Sequence, residues 1–300
     1  MKISITGNTG FVGTNLISFL KDNNEIEAIN LRDCNEIKID KYSEVVIHLA
    51  GKAHDLKKNS NKDEYYKINL DLTINVFEAY LKSNAETFIF MSTVKAVADY
   101  CNDILTENQI PNPQTHYGKS KLLAEEYILS KKLPEGKKIY ILRPCMIHGP
   151  GNKGNLNLLY KLVKIGIPWP LGAFENKRSF CSIDNLCFII NSLIENKNIP
   201  SGIYNVADDE ALSTNEIITL FSEFNKKKTK IIRVSKKIIF KIANVGDFFK
   251  LPLNNERLTK LTENFVVSNS KIKKVLEIDT IPISSKEGML KTIKNFKHNN

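Results

Sequence analysis

Residues 1–20 read MKISITGNTGFVGTNLISFL, and the spacing of Gly7, Gly10 and Gly13 within them decides the fold. Ahead of the glycines, residues 2–6 have the make-up of a short buried strand. Behind them, Phe11, Val12, Leu16, Ile17, Phe19 and Leu20 recur at helical spacing. A strand, a glycine turn and a helix in that order form the cradle on which doubly wound folds hold a dinucleotide pyrophosphate. One glycine permits the sharp turn, one lets the backbone approach phosphate, and one lets helix and strand pack closely. The pattern is G-x-x-G-x-x-G, not G-x-G-x-x-G, and glycine turns are common at strand ends, so the reading needs a second motif.

Working outward, strand patterns at 2–6, 25–30, 45–49, 87–91 and 138–142 alternate with helical patterns near 11–22, 63–83 and 116–132. Such alternation predicts a parallel sheet covered on both faces, an α/β Rossmann-type doubly wound domain over 1–150. The stretch between the second and third strands is too short for a long helix, so that crossover is expected to be trimmed. Beyond "RPCMIHGPGNKGN" the pattern loosens around the turns "GIPWPLG" and "NIPSG". Residues 151–300 are therefore expected to form mainly a smaller, mixed α/β substrate-binding lobe, with returns of the chain to the first domain.

The second motif is "THYGKSKLLAEEYI". Tyr117 and Lys121 stand four apart and project from one face of a helix. A phenol ordinarily loses its proton near pH 10. A neighbouring ammonium, together with an oxidised nicotinamide, favours the phenolate and makes Tyr117 an acid or base for a carbinol or ketone. A third element, "FIFMSTVKAVA", is an apolar strand ending at Ser92 and Thr93. Ligands bind at strand carboxyl ends in such sheets. Thr93 is the candidate catalytic hydroxyl, with Ser92 supporting it at the substrate.

Taken together, these residues resemble the extended short-chain dehydrogenase/reductases, specifically the NAD-dependent nucleotide-sugar epimerase/dehydratase family. The resemblance extends through "TGNTGFVG", "VVIHLAG", "INLDLTINVFEAY", "STV", "YGKSK", "RPCMIHGPG", "NKRSFCSIDNL", "YNVADDEALSTNEI" and "SSKEGMLKTI". It implies an NAD or NADP cofactor on the Gly7–Gly13 turn, with Phe11 and Val12 at the pyrophosphate. Leu49, Ala50 and Gly51 would line the dinucleotide, Asn69 would join them, and Asp40 would receive the adenine amino group. Tyr117 and Lys121 match the catalytic pair, Lys121 also meeting the nicotinamide ribose. At the end of the second strand Arg32 would accept a 2′-phosphate and Asp33 a bare ribose, which leaves NAD and NADP both open. His48 reads as a packed strand residue.

The same resemblance implies a UDP-sugar substrate, with Arg178 and Arg257 at its diphosphate and Asn155 and Leu156 near the nucleotide or sugar. A salt bridge between lobes is the other reading of Arg178. Dehydratases of the family carry an Asp-Glu pair after the threonine, whereas Val94 and Lys95 follow Thr93. Two reactions at C4 remain. One is reduction of a UDP-2-acetamido-2,6-dideoxy-hexos-4-ulose, with which "STVKAV", the 149–180 region and Arg32 agree. The other is 4-epimerisation of UDP-glucose or UDP-N-acetylglucosamine. The family resemblance further implies a homodimer built on the 63–83 and 116–132 helices.

Composition agrees with this reading. The 300 residues are 42% hydrophobic, with no apolar run of membrane-spanning length and no leader pattern, so a cytoplasmic enzyme without membrane insertion is expected. Cys34, Cys101, Cys145, Cys181 and Cys187 form no C-x-x-C or metal cluster, which suits reduced thiols and no metal. The net charge of +10 is dispersed in lysine pairs without a nucleic-acid motif. A non-catalytic RNA-binding relative is the rival reading, and the intact Thr93, Tyr117 and Lys121 speak against it. In "SKKIIFKIANVGDFFKL", Ile238, Ile239, Ile242, Val245 and Phe249 share one helical face beside Lys236, Lys237 and Lys241. That face is expected to be buried in the second lobe.

Overall fold

The computed structural model describes residues 1–31, 37–53, 62–152, 155–249 and 254–298. Among the described residues eight strands run in chain order: β1 (Lys2–Thr6), β2 (Glu25–Ala28), β3 (Val45–His48), β4 (Thr87–Met91), β5 (Lys138–Pro144), β6 (Met146–His148), β7 (Phe180–Ser182) and β8 (Gly202–Val206). Six of them form one parallel sheet in the order β2-β1-β3-β4-β5-β8, and β6 pairs β7 separately. Between β2 and β3 the described residues hold no helix, as the shortness of that stretch predicts.

Strand side chains alternate between two apolar layers. Ile3, Ile5, Val45, Ile47 and Ile89 point to one face, where α1 (Phe11–Leu20) and α6 (Ile183–Glu195) bring Leu16, Leu20, Leu186 and Ile190. Val46, Phe88, Phe90, Ile139 and Ile141 point to the other, under α3 (Leu72–Lys82) and α4 (His116–Ser130). Both faces are dry, which is why β4 reads as an unbroken apolar run, not an alternating one. The stretch before α3 starts as α2 (Lys62–Tyr66) and passes through a π-helical turn at Lys67–Asp71. Although α6 and β8 follow residue 150, both belong to the main sheet.

A second core lies around Trp169, Leu171 and Phe174. It is enclosed by α5 (Asn155–Ile165), α7 (Thr214–Phe224), α8 (Lys236–Phe249), α9 (Asn255–Thr262) and α11 (Ser285–His298), while α10 (Ser270–Leu276) packs on the main sheet. Here the expectation for 235–249 fails. On α8 only Ile239, Ala243 and Gly246 are buried, and Ile238, Ile242, Val245 and Phe249 are exposed. The second core accepts one narrow stripe of the helix, and the adjoining apolar stripe is left about half exposed.

The glycine turn is as tight as its spacing predicts. Gly7 has φ +69, and a Cβ there would lie 2.6 Å from the Ala50 nitrogen. A Cβ on Gly13 would lie 2.3 Å from the Gly7 oxygen and 2.8 Å from the Asn8 Cα, both backbone atoms that cannot give way. Gly13→Ala is therefore expected to destabilise the protein by about 1–3 kcal/mol through overpacking. Gly10→Ala, whose new carbon would stand 3.2 Å from the Gly7 oxygen, should be tolerated better. Urea unfolding of the two variants checks the order, and equal stability of Gly13→Ala and wild type would refute it.

Candidate active site

The sheet's carboxyl edge gathers most of the residues singled out by the sequence. At its centre the turn after β1 meets the turn after β3. The Thr6 hydroxyl accepts the Leu49 and Ala50 N–H groups at 3.2 Å each and bonds His48 Nδ1 at 2.7 Å. His48 Nε2 lies 2.9 Å from the Thr73 hydroxyl, which itself donates to the Asn69 carbonyl. Because the Thr73 proton is committed, His48 donates from Nε2 and accepts at Nδ1. Burial, reinforced by the nearby Lys121 charge, lowers the His48 pKa to about 3 and keeps the ring neutral. It is thus a packed strand residue, stacked on Phe90 at 5.8 Å.

Asn69 sits in the π-helical turn, and its amide clamps Lys52 on both sides. Oδ1 accepts the Lys52 N–H at 2.8 Å, and Nδ2 donates to the Lys52 carbonyl and to the Ser120 hydroxyl, each at 3.1 Å. One side chain therefore ties the turn after β3 to α4. A Cβ on Gly51 would stand 3.0 Å from Lys121 Nζ and 3.1 Å from Asn69 Oδ1. The missing side chain leaves a small polar recess beside Gly51, bordered by Lys121 and Asn69. Nearby, α1 starts at Gly10 with no side-chain cap and no acid in its first turn, so its N–H groups are available to an anion. A backbone-lined turn, an uncapped helix start and a recess bearing an ammonium fit a dinucleotide.

Thr93 caps the short 3-10 turn after β4, accepting the Lys95 N–H at 3.2 Å, and stands near enough to Tyr117 to act on its phenol. Tyr117 comes from the first turn of α4, which begins at Thr115 and is steadied by Asp99 accepting from Gln114 and Thr115. Burial pushes the Tyr117 phenol above its usual range, and the Thr93 side chain opposes this. One helical turn on, Lys121 donates from Nζ to the Met91 carbonyl at 2.9 Å and rests 4.7 Å from the Phe90 ring centroid. Burial lowers its pKa from 10.5 to about 8, against the pull of Glu125. Thr93, Tyr117 and Lys121 thus converge from two elements on one recess.

Other expectations are corrected. The Ser92 hydroxyl donates to Glu125, which pairs with Arg143, and all three residues are buried. Ser92 thus belongs to a buried polar knot with Glu125 and Arg143. Asp40 accepts from the Tyr42 N–H at 2.7 Å and pairs with Lys2 at 3.1 Å. Lys2 is at the amino end of β1, so Asp40 lies across the sheet from the glycine turn and does not join the site. With the crossover trimmed, only residues 41–44 separate Asp40 from β3, too few to carry it to the carboxyl edge and back. The Leu156 side chain is packed in the second core. Arg32 and Asp33 lie outside the described residues, as does the side chain of Asn155.

Arg178 is drawn to Glu263 at 3.6 Å and donates to the Lys260 carbonyl on α9. Arg257 is exposed in the first turn of the same helix, so α9 relates the two arginines. Sequence reasoning overlooked Lys95, noted only as a missing acid. It leans on the Phe265 ring at 4.4 Å, within the electrostatic reach of Arg178 and Glu263, and burial lowers its pKa. The Glu125–Arg143 pair was also missed, because nothing local links a helix residue to a strand residue eighteen positions on.

Comparison with known proteins agrees with this fold. The profile of the NAD dependent epimerase/dehydratase family matches residues 3–207. A UDP-glucose 4-epimerase of Vibrio cholerae is 32% identical over 243 residues, covering 72% of this chain and 73% of that protein. Among solved structures, UDP-glucuronic acid 4-epimerase from Bacillus cereus in complex with NAD superposes with a TM-score of 0.75 at 20% identity, over 100% of this chain and 99% of the other. RMD from Pseudomonas aeruginosa complexed with NADPH gives 0.74 at 19%, over 99% of each chain.

The lowered Lys121 pKa carries a stability consequence. A lysine that is harder to protonate when folded destabilises the fold wherever the unfolded chain would hold the proton. The penalty is full below its folded value of about 8 and fades towards 10.5. Lys121→Met is thus expected to raise unfolding stability near neutral pH by about 1–3 kcal/mol, less at high pH, while turnover is lost. Denaturation of both proteins at pH 7 and above pH 10 checks it, and a destabilised variant at pH 7 would refute it.

Proposed function

The chain belongs to the NAD dependent epimerase/dehydratase family, and within it we propose that it reduces the C4 ketone of a UDP-sugar, specifically a UDP-2-acetamido-2,6-dideoxy-hexos-4-ulose. The family is one of NAD(P)-dependent nucleotide-sugar enzymes, and the observation that carries the proposal is the meeting of Thr93, Tyr117 and Lys121 at the Gly51 recess. The glycine turn, the N–H groups of Phe11 and Val12, the backbone of Leu49 to Gly51 and the Lys121 ammonium would hold the dinucleotide. When bound, a reduced nicotinamide supplies hydride.

Tyr117 delivers the accompanying proton to the C4 oxygen, and the neighbouring Thr93 hydroxyl orients that oxygen. Burial keeps the phenol protonated, so the site rests in the acid form that ketone reduction requires. Lys121 then stabilises the phenolate that the transfer leaves behind. The loop after Thr93 presents Val94 and Lys95 in place of a carboxylate pair, which leaves no acid and base for eliminating water. Arg178, Arg257 and Lys95 would meet the diphosphate and sugar, with Arg178 leaving Glu263 to do so. Asn69 acts through the clamp on Lys52.

The second reading is 4-epimerisation, favoured by the activity named for the Vibrio relative. The two separate on incubation with the 4-keto sugar and NADPH or NADH. Reduction consumes the reduced cofactor stoichiometrically, while interconversion of UDP-hexoses without net cofactor change would decide for the epimerase. Tyr117→Phe is expected to lower turnover at least about 100-fold. Wild-type turnover should fall as pH rises through about 8, where Lys121 loses its charge. Near-normal turnover of Tyr117→Phe would remove the assignment.

A further inference from the structure

Helix α8 turns outward the face that sequence reasoning expected to be buried. Ile238, Ile242, Val245 and Phe249 follow one another at i, i+4, i+7 and i+11, a stripe about 60° wide at 100° per residue. They are 52%, 45%, 51% and 65% exposed, and Phe248 beside them is 81% exposed. Single exposed apolar residues are ordinary, but a continuous stripe along one helix is not. The lobe does not need this stripe for its own packing, since Ile239, Ala243 and Gly246 anchor the helix from the adjacent face.

Charge surrounds the stripe. Lys237 and Lys241 are exposed beside the stripe, whereas Lys236, on the far side of the helix, lies over the Phe174 ring at 5.5 Å. From Lys226 to Lys241 the chain carries Lys226, Lys227, Lys228, Lys230, Arg233 and those three lysines, and no acidic residue stands between Glu223 and Asp247. Ile231 and Ile232 within that segment are also exposed, at 37% each. Much of the chain's +10 excess thus sits beside this exposed apolar strip.

We propose that α8 and the basic segment before it form a face that docks on an anionic lipid bilayer, with Ile238, Ile242, Val245 and Phe249 in the headgroup–acyl boundary and the lysines at the headgroups. An apolar stripe bordered by lysines is what an interfacial helix presents to such a surface. A second copy across a two-fold axis would bring the lysine clusters towards each other. Nucleic acid would satisfy the lysines and leave the isoleucines in water. Among the described residues no helix is long and apolar enough to cross a membrane, so the contact is one of lying on the surface.

Vesicle flotation with the full chain tests this. Phosphatidylcholine vesicles containing about 30% phosphatidylglycerol should bind the protein, and pure phosphatidylcholine should bind it far less. The double variant Lys237→Glu, Lys241→Glu should weaken anionic binding at least about 20-fold, since each lysine near the surface contributes about fivefold. Ile238→Ser with Phe249→Ser should weaken it with the lysines intact. All these positions are exposed, so unchanged unfolding midpoints would show that neither variant acts by unfolding the chain. Absence of vesicle binding, equal binding to neutral vesicles, or binding untouched by both variants would overturn the proposal. So would RNA binding or an α8-dependent dimer without vesicle binding.

Discussion

Everything at the carboxyl edge of the sheet depends on how closely the turn after β1 approaches the turn after β3. At Gly7 no side chain fits between the two backbones, and the Thr6 hydroxyl beneath it holds both Leu49 and Ala50. His48 carries that anchorage through the sheet to Thr73, and Thr73 passes it to the turn containing Asn69. Asn69 then fixes Lys52 and Ser120, and through Ser120 the helix bearing Tyr117 and Lys121. The cradle and the acid–base pair are thus joined by an unbroken run of satisfied buried polar groups. Such a run is stable only when every member is paired, so it fixes one geometry.

Electrostatics work against stability at the same place. Lys121 is buried beside an aromatic ring with a single backbone acceptor, and its nearest compensating carboxylate, Glu125, is already engaged by Arg143 and Ser92. A bidentate partner holds Glu125 in place, so its field reaches Lys121 without neutralising it outright. Lys121 is therefore left partly uncompensated, as its lowered pKa records. A fully paired lysine would be a poorer stabiliser of a phenolate.

The parallel sheet, the trimmed crossover and the pairing of Tyr117 with Lys121 on one helix face were legible because each rests on a local pattern. Strand–glycine–helix spacing follows from backbone sterics, and Tyr117 and Lys121 meet because a helix brings residues four apart together. What failed depended on where the chain goes next. Asp40 matched a motif, but the shortened crossover left it at the other end of β1, with Lys2. Ser92 and Thr93 alternate across one strand end, so only one of the two hydroxyls could face the recess, and Ser92 faced Glu125. Leu156 was needed for the second core. On α8 the periodicity was read correctly, but periodicity reports only that a helix has an apolar side. It does not say whether the chain itself supplies the cover.

Tyr117 and Lys121 also constrain each other in a way that neither motif reveals. Burial raises the phenol and lowers the ammonium, so both drift towards their uncharged forms, and the chain alone does not create a phenolate at neutral pH. The resting pair is a proton donor beside a lysine whose charge is easily lost, an arrangement matched to protonating a ketone oxygen. Running the same pair as a base requires added positive charge in the recess, and the oxidised form of a nicotinamide carries it. Direction is therefore not written into the side chains themselves. It follows from which redox form occupies the cradle, so one set of residues would serve both halves of the proposed C4 chemistry. What distinguishes a reductase from an epimerase must then lie in how long the cradle retains its occupant and how freely the sugar turns above Thr93, and both depend on the second lobe.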